Sequence, residues 1–331
     1  MTSPQPITDL MWAHWKTRLV LAAVELDLCT ELAAGPLSRT DIQQRLGLKS
    51  GATGDFLDAL VAMGVLARAG DRYVNSAESA DYLVATNAAT YLGDSFLAQG
   101  ADLAKEIVGL LREGRTLNDI TDGREYYDSL YATPDGVRAF QRDMTALSIG
   151  SALAMARQFP WTEHKTLVDV GCAEGALPGH VLRAHPHLLA TGFDLPQAES
   201  GFLGHTAELG VGDRVRFVGG DFFTDELPQG DVIVLGHILH NWDLAEKRML
   251  LDKAYRALPE GGAVIVYETL IDDERADNAI GLILSLIMHL EVPGGFDYTG
   301  ADCQKWLQEA GFHSTRVEHL DGPESMVIGI R

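Results

Sequence analysis

The sequence predicts an α/β fold, a doubly wound and mostly parallel sheet of seven strands, preceded by a mainly helical part with the outline of a winged helix. Two observations carry this. From Lys165 onward, short runs rich in Val, Ile and Leu alternate with helical stretches, which is the pattern of parallel strands covered by helices on both faces. In the first ~90 residues the apolar side chains instead recur at helical spacing, interrupted by one pair of short strand-like runs.

In chain order, residues 8–32 place Met11, Trp15, Leu19, Leu21, Val24 and Leu28 at helical spacing, and Gly35-Pro36 ends the run. Leu37-Ser38-Arg39-Thr40-Asp41 opens a short helix to Leu46, with Ser38 or Thr40 as the cap, since a hydroxyl oxygen can accept from a free backbone N–H of the first turn. A second helix follows from Gly51 to Met63, and Val65–Val74 reads as two short strands around Gly70-Asp71. A winged helix that reads DNA needs cations on its second helix to neutralise phosphate. The segment SGATGDFLDALVAM holds two aspartates and no arginine or lysine, so packing against a second copy of the chain is expected. Residues 92–160 are expected to be mainly helical, punctuated by Pro134 and Asp135-Gly136. This organisation reads as a domain over 1–100 and a second over 101–331, with 101–160 as a helical linker.

The expected strands of the second domain are Thr166–Val170, Leu189–Asp194, Val215–Val218, Val232–Leu235, Ala263–Glu268, Ser314–Leu320 and Met326–Ile330, with a helix at Gly300–Ala310. In such sheets ligands sit at the carboxyl ends of the strands, beside the point where strand order reverses. Bulk properties narrow the partners. A net charge of −21 repels phosphate backbones and argues against nucleic acid. No apolar run approaches the roughly 18–20 residues of a membrane span. The start, MTSPQP, is neither a cationic leader nor a transit peptide, so a cytoplasmic location and no membrane association are expected. Cys29, Cys172 and Cys303 are far apart and in no CxxC pair, which gives neither a disulfide framework nor a zinc site.

The chemistry is carried by the carboxyl ends of the strands. After Leu167–Val170 comes Gly171-Cys172-Ala173-Glu174-Gly175, then a helix; the small residues permit a tight turn and close approach of a ligand to the backbone. Asp194-Leu195 ends the next strand, where a carboxylate can accept from ribose hydroxyls. A nicotinamide dinucleotide would use the same logic. However, Ala173 stands where a dinucleotide loop keeps a glycine, and Asp169 would repel a pyrophosphate. A phosphate-free cation such as S-adenosylmethionine is attracted instead. Asp221-Phe222 after the third strand can serve adenine, or simply cap a turn. His240 in GHILHNWD lies at the end of the fourth strand, suited to proton transfer near neutral pH. No metal is expected, because His237, His240 and Asp243 bring no further ligand cluster.

The segments LVDVGCAEG, FDLP, GGDFF, LHNWD, LPEGGAVIVYE and VPGGFDYT, in this order, resemble the plant caffeate/flavonoid-type O-methyltransferases and, still more, the bacterial members that decorate aromatic natural products. The resemblance covers nearly the whole chain. It implies a Rossmann-like methyltransferase sheet, S-adenosyl-L-methionine as cofactor with S-adenosyl-L-homocysteine as product, and a homodimer built through the N-terminal domain. It implies cofactor contacts from Gly171, Asp194, Asp221 and Phe222; Asp169, Gly175, Leu195 and Gly236 are expected on the cofactor side with them, Gly236 standing where plant members carry a lysine, so that one adenine-side contact is missing. It implies His240 as the base that deprotonates a phenol, flanked by Glu268 and by Asp297, where the family has a glutamate. Tyr126, Met144, Met288, His289, Phe296 and Tyr298 are expected on the acceptor side, with Tyr298 in place of the family's arginine. The acceptor is expected to be a small aromatic metabolite. C- or N-methylation, a winged-helix regulator, and a cofactor-binding scaffold without turnover remain alternatives.

Overall fold

The computed structural model describes residues 5–87, 91–93, 105–116 and 123–331; the expected helical content at 94–104 and 117–122 falls outside them. The chain divides into two compact units, one of Met1–Asp122 with Ile271–Asp297, the other of Gly123–Leu270 with Tyr298–Arg331. The compact units part at Asp122/Gly123, and a later segment, Ile271–Asp297, returns to the first unit. Periodicity reports which face of a helix is apolar, not which distant helix covers it.

The first unit begins with α1 (Gln5–Glu25) and α2 (Leu28–Leu32), so the run at helical spacing over 8–32 forms two helices. The break is at Asp27, whose φ of 54° is left-handed. Then α3 (Arg39–Leu46) starts at Ser38, which accepts from the Asp41 N–H while the Asp41 carboxylate accepts from the Ser38 N–H. Helix α4 (Thr53–Ala62) follows, then the hairpin β1 (Leu66–Ala69) and β2 (Arg72–Asn75), antiparallel with Ala67 opposite Val74. Helix α5 (Ala77–Tyr82) and α6 (105–113) complete the N-terminal segment. The returning segment contributes α12 (Ala279–Glu291), whose Leu282, Ile283 and Leu286 enter one core with Leu57 and Leu60 of α4 and Leu111 of α6. Burying such side chains contributes roughly 1.5–3 kcal/mol each, which is what holds a helix from the far end of the chain to this unit.

In the second unit α7 (Gly123–Leu130) and α8 (Pro134–Gln158) lead into the sheet; α8 starts with Thr133 accepting from the Gly136 N–H and Pro134 in the first turn. The strands are β3 (Thr166–Val170), β4 (Leu189–Asp194), β5 (Val215–Gly219), β6 (Val232–Gly236), β7 (Ala263–Glu268), β8 (Ser314–Asp321) and β9 (Glu324–Ile330). Helices α9 (Ala176–Ala184), α10 (Glu199–Glu208), α11 (Leu244–Ala257) and α13 (Gly300–Ala310) lie between them in the chain. The sheet order is β5-β4-β3-β6-β7-β9-β8, parallel except for β9, which runs antiparallel to both β7 and β8. The order reverses at β3, between β4 and β6, so the crevice at the carboxyl end of β3 is where a ligand is expected. Leu167, Val181, Val234, Ile265 and Ile328 form the core beneath it.

Candidate active site

The loop after β3 is built from left-handed residues: Gly171 (φ 71°), Ala173 (φ 47°) and Gly175 (φ 82°). At Gly171 the left-handed conformation selects glycine; a β-carbon would also meet the terminal methyl of Ile238, which would have to move aside. Ala173 adopts a conformation that disfavours a β-carbon, and two polar contacts hold it there. Its N–H donates to Asp194 Oδ2 at 2.8 Å, and its carbonyl accepts from Gln141 Nε2 at 3.0 Å. Asp194 thus braces the loop. Its Oδ1 accepts from the Leu195 N–H at 2.7 Å and from the Tyr131 hydroxyl at 3.5 Å.

Burial drives Asp169 up to about 8, helped by the charge of Asp194, and drives Asp194 up to about 6 against the backbone N–H groups of Ala173 and Leu195. Among the described residues, the charge acting on Asp169 is a like charge rather than a cation. Two adjacent buried carboxyls of this kind are a donor set that calls for a positive ligand.

Beyond β5, Asp221 Oδ1 accepts from the Phe223 N–H at 2.8 Å, while the Asp221 N–H donates to Asp225 at 2.9 Å. The capped turn foreseen as the plainer role of Asp221 is therefore present. The ammonium of buried Lys253 pins this loop by donating to the carbonyls of Phe222 (2.8 Å), Phe223 (3.1 Å) and Asp225 (2.8 Å). Phe222 and Phe223 meet the ring of Trp242, which also contacts Tyr127, itself edge-on to Tyr126.

After β6 the chain turns sharply at His237 (φ 53°), and a 3-10 turn, Leu239–Asn241, presents His240. The His240 N–H donates to Glu268 Oε1 at 3.1 Å, and Glu268 is fully buried at the end of β7. Burial lowers the imidazole pKa of His240, the carboxylate of Glu268 opposes this, and Lys247 adds to the lowering. The net shift is downward and favours the neutral imidazole, which is the form a base requires. Asp243, three residues on, is committed as the cap of α11, accepting from the Glu246 N–H. Gly236 has no room for a side chain, since a β-carbon there would lie 2.1 Å from the ring of Tyr267.

Of the expected acceptor residues, Tyr126 and Met144 are half-buried on α7 and α8 of the second unit. Tyr298 is 1% exposed and packs edge-on to Trp306 in that unit. Met288, His289 and Phe296 belong to the first unit, as does Asp297, buried as its last residue. Gln141, Tyr131 and Lys253 were not singled out from sequence; a lone glutamine, tyrosine or lysine inside a helical pattern carries no local signal of what it will reach.

Residues 103–313 match the family model described as the O-methyltransferase domain, and residues 8–86 match that of the O-methyltransferase dimerisation domain. The chain belongs to the O-methyltransferase family. This methyltransferase is 39% identical over 326 residues to the tetracenomycin polyketide synthesis 8-O-methyl transferase TcmO of Streptomyces glaucescens, covering 98% of this chain and 96% of that one. It is 34% identical over 323 residues to the N,N-dimethyltransferase OxyT of Streptomyces rimosus, covering 95% and 92%. Its fold matches the crystal structure of an O-methyltransferase family 2 protein from Planctomyces limnophilus in complex with apigenin, with a TM-score of 0.85, 23% identity, and coverage of 100% and 96%.

The methyltransferase uses S-adenosyl-L-methionine. The donor set fits that group: among the described residues no cation acts on the paired carboxyls of Asp169 and Asp194, and the cofactor brings an ammonium and a sulfonium. When bound it supplies an electrophilic methyl carbon. No helix among the described residues is long and apolar enough to cross a membrane.

Proposed function

We propose that this methyltransferase methylates a hydroxyl of a small aromatic metabolite, with His240 as the general base. The observation that carries the proposal is the buried imidazole of His240, set at the carboxyl end of β6 by Glu268, where burial lowers its pKa. His240 takes the hydroxyl proton, leaving the acceptor oxygen nucleophilic toward the methyl carbon. Glu268 orients the turn and stabilises the imidazolium that forms, and Asp297 is assigned the same flanking role. On the cofactor side, Asp169 and Asp194 neutralise and orient, Gly171, Gly175, Leu195 and Gly236 allow close approach, and Asp221 with Phe222 receives the adenine. Tyr126, Met144, Met288, His289, Phe296 and Tyr298 are proposed for the acceptor side. The relative whose name specifies 8-O-methyl transfer in polyketide synthesis supports this acceptor class.

The match of residues 8–86 to a dimerisation domain supports a homodimer through that segment. A second copy, rather than nucleic acid or a membrane, is the proposed macromolecular partner, in a cytoplasmic enzyme. Light scattering should return twice the chain mass.

The test is His240→Ala assayed on a panel of phenols. Methyl transfer should fall ~10²–10⁴-fold, the usual contribution of a positioned base, while affinity for S-adenosyl-L-homocysteine stays within about twofold. Full activity in the variant would remove His240 from the reaction. An amine acceptor is the second reading, favoured by the relative named as an N,N-dimethyltransferase. Such a reaction can proceed by proximity alone, and NMR of the product separates the two.

A further inference from the structure

Helix α4 stood out in the sequence for two aspartates on what would be the DNA-facing helix of a winged fold. Both aspartates have another use within the first unit. Asp58, 5% exposed, accepts from the Tyr73 hydroxyl at 2.7 Å and pairs with Arg275 Nε at 3.1 Å and with Arg68. Asp55 pairs through Oδ1 with Arg275. Through Oδ2 it accepts from the Ser285 hydroxyl at 2.8 Å and meets His289 Nε2 at 3.2 Å.

Those last two partners lead to the end of the unit. Ser285, fully buried on α12, accepts through the same Oγ from the backbone N–H of Asp297 at 3.1 Å. The ring of His289, one turn further along α12, stacks on Phe296 at an interplanar angle of 14°. One carboxylate on α4 therefore fixes both anchors of the Phe296-Asp297 dipeptide. A serine that donates its proton to a carboxylate is also a better acceptor for the N–H behind it, because the two bonds polarise each other. At the next residue the chain passes into the second unit as Tyr298.

We propose that Asp55 is a positioning residue for methyl transfer, acting through Ser285 and His289 to fix Asp297 and Phe296. This rests on the flanking role given above to Asp297. Every residue named lies in the first unit and in one chain, so the role is separate from dimerisation. Arg275 pairs with the other oxygen of the Asp55 carboxylate and also with Asp58, and Asp58 is held in turn by the Tyr73 hydroxyl and by Arg68.

Two variants remove the links without opening a large cavity: Ser285→Ala and Asp55→Asn. In each, hydrogen exchange at the Asp297 amide should speed up about tenfold or more, with exchange in β3–β7 unchanged. With a phenol substrate, Ser285→Ala should lower kcat about tenfold at unchanged acceptor KM, and Asp55→Asn should also raise acceptor KM by freeing His289 beneath Phe296. In an Asp297→Asn background Ser285→Ala should have little further effect on kcat, because its effect passes through Asp297. A merely structural role would lower kcat equally in both backgrounds. Unchanged exchange at Asp297, or a Ser285→Ala effect additive with Asp297→Asn, overturns the proposal. Faster exchange together with a fully active Asp297→Asn enzyme overturns instead the flanking role of Asp297, and leaves Asp55 as an anchor of the segment.

Discussion

The backbone N–H of His240 donates to the carboxylate of Glu268 across 3.1 Å, so the residue that ends β7 fixes the turn that presents the imidazole after β6. Glu268 also supports the charged form of His240 against burial. Replacing it by glutamine keeps a hydrogen-bond acceptor but removes the charge. Glu268→Gln should lower kcat about 10–100-fold. The base works unprotonated, so a lower imidazole pKa moves the acidic limb of the kcat/KM profile to lower pH. A limb that stays in place, or moves up, would contradict the electrostatic role of Glu268.

Asp169 holds its proton up to about pH 8 because it is buried beside Asp194. A cationic cofactor favours the ionised carboxylate, so binding should expel that proton. At pH 7, calorimetry of S-adenosyl-L-homocysteine binding in buffers of different ionisation enthalpy should report release of about one proton. Affinity should rise with pH up to about 8 and then level off. The unliganded enzyme should behave in the opposite sense. The folded state binds more protons than the unfolded one between the ordinary carboxyl pKa of 3.8 and about 8, so this group's contribution to stability falls as pH rises through that window. Asp169→Asn should abolish both effects.

Lys253 draws the carbonyls of Phe222, Phe223 and Asp225 onto one ammonium. Lys253→Met preserves the length of the side chain but leaves these acceptors without their donor. Hydrogen bonds to charged groups contribute about 1.5–3 kcal/mol, so thermal stability should drop. Affinity for S-adenosyl-L-homocysteine should weaken about tenfold as the Asp221-Phe222 loop loosens. Unchanged affinity alongside a lowered Tm would separate this loop from cofactor binding.

Gly236 cannot accept the lysine of the plant pattern, because the ring of Tyr267 occupies the space a β-carbon would need. Gly236→Ala should cost about 1–3 kcal/mol as an overpacked site, read as a lowered urea midpoint. In a Tyr267→Ala background the same change should cost less. An equal cost in both backgrounds would show that the ring is not the obstacle.

The sheet was legible because its signal is local. Short buried apolar runs set β3, β4 and β7 at the residues expected, and α13 too, since an interior strand or an amphipathic helix declares itself over five to ten residues. The loop residues Gly171 and Gly175 were legible for the same reason, as left-handed conformations select glycine. The break at Asp27 was not, because nothing in its neighbours announces a left-handed aspartate inside an apolar periodic run. The assignment of α12 to the first unit was not legible either: its apolar face would suit many partners, and only packing against α4 selects one.

By itself the sequence determined the class of fold, the position of the crevice at the end of β3, and the acidic character of its ligand set, because each depends on residue type and near-neighbour spacing. Only the tertiary structure decided how those groups are charged and held. The proton on Asp169 depends on burial beside Asp194; the lowered pKa of His240 depends on burial set against Glu268; the loop of Asp169–Gly175 stays in its strained form because Asp194 and Gln141 reach it from elsewhere in the chain. Desolvation and long-range hydrogen bonds are properties of surroundings assembled from distant segments, and no local pattern encodes them.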